Sequence, residues 1–148
     1  MASPTPQIPP LPQGLPKTQA DWTAVVNAWQ AAHTMLQAPT WKAPTLLNSW
    51  AYYGAPYNPP GYMLDGTGRV WLRGLLKGGS LVSIAFTVPW KPQYTQLLSG
   101  SYMTSGGTVA VSGRVDVDAA GNVTIGTNDT AGAVSWFCLD GLSFDLRV

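Results

Sequence analysis

The stretch GRVWLRGLL, residues 68–76, sets Val70, Leu72, Gly74 and Leu76 against Arg69, Trp71, Arg73 and Leu75. That period of two is the signature of a β-strand with one buried face. The second face is not an ordinary solvent face. It carries a tryptophan between two arginines, residue types that protein interfaces favour. Trp71 and Arg73 are therefore expected at a contact between subunits. The pattern continues outward in the C-terminal direction. LVSIAFTVP (81–89) predicts a second strand, stopped by Pro89. TVAVSGRVDVD (108–118) and GNVTIGT (121–127) predict two more, joined by a hairpin loop at Asp118–Asn122. AVSWFCLDGLSFDLRV (133–148) supplies the last one or two, with a turn at Asp140-Gly141. Strands at this spacing indicate a small β-sandwich or short barrel, a mainly β head spanning residues 39–148.

Upstream, residues 18–38 predict the one helix. Thr18 can cap it, with Asp21 in the reciprocal capping-box position, and Pro39 ends it at Ala38. Trp22, Val25, Trp29, Ala32 and Leu36 follow the 3-4 spacing of a coiled-coil seam, and Trp22, Val26, Trp29, His33 and Leu36 follow a second. Such a stripe must be covered, either by the β-domain of the same chain or by the same helix of neighbouring subunits. It is too short for an independent coiled coil but long enough as an adjunct to a trimeric head. Trp22, Val25, Trp29 and Leu36 are accordingly expected at an oligomer interface. Residues 1–17, MASPTPQIPPLPQGLPK, hold six prolines and read as an extended segment. They form either a loose leader or a peg that orders on another protein through Ile8, Leu11 and Leu15.

Composition supports a turn-rich β-protein. Among 148 residues there are 16 Gly and 13 Pro, charged residues make up 10%, and all seven acidic residues are Asp. The missing Glu argues against a mostly helical surface. A net charge of +1 without a basic block argues against nucleic-acid binding. No segment approaches a membrane span, and no basic-then-apolar leader opens the chain, so synthesis in the cytoplasm is expected.

The chain is poorly equipped for catalysis. His33 is the single histidine, remote in sequence from Cys138 and the strand aspartates. Cys138, between Phe137 and Leu139, reads as a small core residue. Asp116 and Asp118 share one strand face and could mimic a glycosidase pair, but Asp beside a hairpin turn has turn reasons of its own. DVDAAGN lacks the carboxylates of a calcium loop. No enzyme, metal or cofactor is expected. What the chain has is aromatics: seven Trp, six Tyr and three Phe. Within SWAYYGAPYNPPGYM (49–63), Tyr53, Tyr57 and Tyr62 lie in a Pro/Gly-rich loop region. They are candidates for stacking on sugar, the alternative being the floor of a small core.

Four blocks, TLLNSWAYYG (45–54), PPGYMLDGTGRVWLRGLLKGG (59–79), FTVPWKPQY (86–94) and VSWFCLDGLSF (134–144), resemble in order the C-terminal β-domain of minor tail and tail-fibre proteins of tailed phages. The resemblance covers about 100 residues. It implies a non-enzymatic virion protein, a homotrimer at the tail or capsid surface, held by its N-terminus to another virion protein and binding a host cell-wall glycan. The sequence departs from the family pattern at Trp71, where His is frequent, and at Trp90-Lys91, in place of Gly-Tyr-Arg; each change puts an additional tryptophan near the binding or interface surface that the resemblance implies, which makes Trp90 a further candidate for glycan contact. Two alternatives stay open: a capsid decoration protein of the same architecture, and a monomeric carbohydrate-binding module.

Overall fold

The computed structural model describes residues 18–36, 39–126 and 134–146, without the side chains of 31–36. The chain divides into two compact units, residues 1–39 with 65–67, and residues 40–64 with 68–148.

In the first unit, α1 spans Gln19–Leu36. Its start is fixed by the reciprocal cap expected from sequence. The Asp21 amide donates to Thr18 Oγ1 at 3.2 Å, and the Thr18 amide donates to Asp21 Oδ2 at 3.0 Å. A cap of this kind is worth about 1 kcal/mol. The helix leaves an apolar stripe open, with Trp22 51% and Trp29 63% exposed and Val26 exposed between them. Val25, on the other seam, is half-buried.

The second unit is mainly β. Its strands are β1 (Trp50–Tyr52), β2 (Gly61–Leu64), β3 (Arg69–Arg73), β4 (Leu75–Gly78) and β5 (Ser83–Thr87), followed by β6 (Gln96–Thr104), β7 (Val111–Val117), β8 (Asn122–Gly126), β9 (Val134–Cys138) and β10 (Ser143–Asp145). Seven of them form one antiparallel sheet in the order β1-β4-β9-β6-β7-β8-β5, and three form a second, β10-β3-β2. The large sheet nearly closes on itself. The segment entering β1 reaches the opposite edge strand, where the Leu47 amide donates to Ala85 O at 2.8 Å and Asn48 Nδ2 donates to Ile84 O at 2.8 Å.

Both sheets contribute to one core. Val70, Leu72 and Phe144 come from the small sheet, and Leu76, Phe86 and Phe137 are among those from the large one, all fully or almost fully buried. Each such side chain contributes about 1.5–3 kcal/mol. Phe137 lies over two glycines that face each other across β6 and β7, Gly100 and Gly113. A Cβ on either would come within 2.7 or 2.6 Å of its ring. Side-chain hydrogen bonding finishes the small sheet. Gln96 Nε2 donates to Asp145 O at 2.6 Å, and the Asp145 amide donates to Gln96 Oε1 at 3.3 Å. The side-chain amide thus stands in for a strand partner of β10.

One sequence expectation is corrected. GRVWLRGLL is not a single strand. Val70 and Leu72 point into the core from β3 in the small sheet, and after Gly74 the chain enters β4 in the large sheet, where Leu75 and Leu76 are both buried. Gly74 makes the corner with φ +108, in the region that favours glycine, and a Cβ there would meet backbone atoms of Pro60 at 2.6 Å. The alternation simply ran across the corner. The chain crosses back between sheets after β9, and the two crossings are bonded to each other. The Leu139 amide donates to Gly74 O at 2.9 Å, and the Gly74 amide donates to Asp140 Oδ1 at 2.7 Å.

Candidate functional site: cation and aromatic pairs on the head

Antiparallel register puts Gly61 opposite Arg73 and Met63 opposite Trp71, so these four share the outer face of the small sheet, with Ser143 beyond Trp71 on β10. Beside β2, Lys42 forms a bridge with Tyr62 through two backbone hydrogen bonds of 2.8 and 2.9 Å. That antiparallel bridge sets the neighbouring Trp41 opposite Met63, on the face that also carries Gly61 and Arg73. The guanidinium of Arg73 stacks over the Trp41 ring at 4.4 Å. Gly61 makes room for this, since a Cβ there would lie 3.1 Å from Arg73 Nε and 3.4 Å from its Cγ. Nε itself is enclosed and has no hydrogen-bond partner. Trp41 and Arg73 are both half-buried.

Two further pairs repeat the chemistry. Lys42 Nζ lies 5.5 Å from the Trp90 ring, whose neighbour Tyr62 meets it edge-on at 5.7 Å. Tyr62 and Trp90 also pack against the core, so these two glycan candidates serve partly as its floor. Lys77 Nζ lies 5.8 Å from the Tyr53 ring, and Tyr53 meets Tyr57 edge-on at 5.3 Å. The hydroxyl of Tyr52 donates to the Tyr57 carbonyl and braces this loop, leaving Tyr57 50% exposed. The four sequence candidates thus fall into two pairs, Tyr53 with Tyr57 and Tyr62 with Trp90. A cation near an aromatic face contributes about 0.5–2 kcal/mol, according to how dry the contact is.

The sequence reading missed Trp41, Lys42 and Lys77. Two Trp-Lys dipeptides, at 41–42 and 90–91, in a chain with only eight basic residues were the available signal. Ile8, Leu11 and Leu15 lie outside the described residues, as do the side chains of His33 and Leu36.

The aspartates have structural partners. Asp116 is paired with Arg114, whose Nε donates to Asp116 Oδ1 at 2.8 Å. Asp118 closes the β7–β8 hairpin by accepting from the amides of Ala120 at 2.8 Å and Asn122 at 3.0 Å and from Asn122 Nδ2 at 2.8 Å. Burial works against its charge, yet those donors outweigh it and hold the Asp118 carboxyl below its ordinary range. A glycosidase acid needs the opposite shift. Cys138 is half-buried on β9, and among the described residues no three His, Cys, Asp or Glu side chains gather as metal ligands do. No helix of the described residues is long and apolar enough to cross a membrane.

The architecture has a counterpart among solved structures. The receptor binding protein (gp15) of Listeria phage PSA matches 87% of this chain and 80% of its own, with a TM-score of 0.57 and 15% sequence identity. In fold, the chain is similar to a phage receptor binding protein. At that identity the likeness is one of fold. No protein-family pattern matches the chain, and no curated protein does.

Proposed function

We propose that the chain is a non-enzymatic phage virion protein that attaches the particle to its host, working as a homotrimer whose heads meet a cell-surface glycan. The observation that carries this reading is the fold likeness to the Listeria phage receptor binding protein over most of both chains. The exposed Trp22, Val26 and Trp29 stripe supports self-association, because an apolar helix face of this kind is stable only when covered. In this reading the helix joins the subunits, the Pro-rich N-terminus with Ile8, Leu11 and Leu15 docks on another protein of tail or capsid, and the cation and aromatic pairs of the head face the host.

Light scattering of the full chain on a size-exclusion column tests the assembly. The expected mass is three times 15.7 kDa, falling to a single chain when Trp22 and Trp29 are both replaced by Gln. A monomeric wild-type chain would sink the trimer and leave a monomeric carbohydrate-binding module as the reading to pursue. Adsorption of the labelled full chain to bacterial cells, competed by their purified wall glycan, tests attachment.

A further inference from the structure

Among the described residues several aspartates are closely held, while three of the cations rest on aromatic rings. Asp116 has Arg114, Asp118 has its own loop, Asp140 accepts from the Gly74 amide, and Asp65 accepts from the amide and hydroxyl of Thr67. Lys42, Arg73 and Lys77 instead lie over aromatic rings, and among the described residues none of them pairs with a carboxylate. An aromatic ring attracts a cation but leaves its hydrogen-bonding capacity unused. Of the three, Arg73 is the most tightly held. Its stem crosses Gly61, its plane is set by Trp41 at 4.4 Å, and its enclosed Nε has no acceptor. Its two terminal nitrogens make no hydrogen bond among the described residues, so the forked edge stays available. A guanidinium held in one plane has already lost the freedom that binding an oxyanion would cost it. The fork matches a carboxylate or phosphate in two-point geometry.

Resting on the host-attachment reading above, we infer that the Trp41–Arg73 pair is a binding site for an anionic sugar. The Arg73 fork grips the carboxylate or phosphate, and Trp41 holds the fork in place and offers its remaining exposed surface to the saccharide. Lys42, the next residue along the chain, carries a second unpaired cation over Trp90. This assigns Arg73 to the ligand and not to a contact between subunits.

The test is a nitrogen-15 NMR titration of the full chain, reading the Arg73 Nε–H and the Trp41 indole N–H, the latter assigned with a Trp41→Phe variant. The probes are glucose, glucuronate, glucose 6-phosphate and inorganic phosphate. Glucuronate or glucose 6-phosphate is expected to give saturable shifts at both positions, with glucose and inorganic phosphate at least about tenfold weaker. The tighter of the two acids identifies carboxylate or phosphate as the charge. Arg73→Gln should weaken binding by at least about tenfold while the chain stays folded, its thermal midpoint lowered by no more than the loss of one cation–aromatic contact, and Arg73→Lys should fall between. The site is refuted if neither acid saturates, if glucose or inorganic phosphate binds as tightly, or if Arg73→Gln responds like wild type. Adsorption to cells separates the two ideas. Adsorption unaffected by Arg73→Gln removes this site and leaves attachment standing, whereas acid-sugar binding without adsorption does the reverse.

Discussion

Glycine does opposite work in the two sheets. In the large sheet, Gly100 and Gly113 clear a floor for the Phe137 ring, and the space is filled by core. In the small sheet, Gly61 clears a path for the stem of Arg73, and the space is filled by a charged group on its way to the outer face. The same missing side chain therefore marks packing in one place and, on our reading, recognition in the other. What occupies the vacated volume tells them apart. Gly74 belongs to neither kind, because its neighbours are backbone and its φ is left-handed.

These differences predict a graded series. Gly74→Ala should be the most damaging, since backbone atoms of Pro60 cannot move aside and the conformation is itself unfavourable for alanine. A loss of about 4 kcal/mol is expected by urea denaturation. A loss under about 1 kcal/mol would mean that the corner can relax, and that the sheets are less firmly joined than their hydrogen bonds indicate. Gly113→Ala should cost about 2–3 kcal/mol through overpacking against Phe137 and Tyr102. Combining it with Phe137→Leu should cost less than the sum of the two single changes, because one relieves the crowding made by the other. Strict additivity would show that the ring is not what the glycine serves. Gly61→Ala should cost least, about 0.5 kcal/mol, because a flexible arginine stem can give way. It should nevertheless displace the fork and weaken acid-sugar binding several-fold in the titration described above. Should it destabilise as much as Gly113→Ala, Arg73 would be a pillar of the fold and the contrast between the sheets would disappear.

Much of the fold was legible because its signals are local. The Thr18–Asp21 cap, the hairpin closed by Asp118 and the end of β5 before Pro89 each depend on residues within a few positions of one another. The corner at Gly74 was not legible, because Val70, Leu72, Gly74 and Leu76 stay in step while the chain changes sheets, and only Leu75, buried out of turn, breaks the pattern. Strand β6 was missed as well. QLLSGSYMT has no β-branched residue before its final Thr and a glycine at its centre, and the reason for Gly100 lies in Phe137, 37 positions on. The site was half legible for the same reason. Trp71 and Arg73 stood out on a strand face, but that Arg73 stacks on Trp41 follows only from the bridge between Lys42 and Tyr62 of β2.

The hydrogen bonds at the sheet margins bear on how the β unit keeps to itself. Leu47 and Asn48 occupy carbonyls of β5, Lys42 occupies β2, and the Gln96 side chain occupies the backbone of Asp145. At these positions of β5, β2 and β10 the main chain already has a partner, which leaves less of it for a neighbouring copy to pair with. On the virion reading proposed above, such occupied borders would serve a head exposed outside the cell as much as its well-packed interior does.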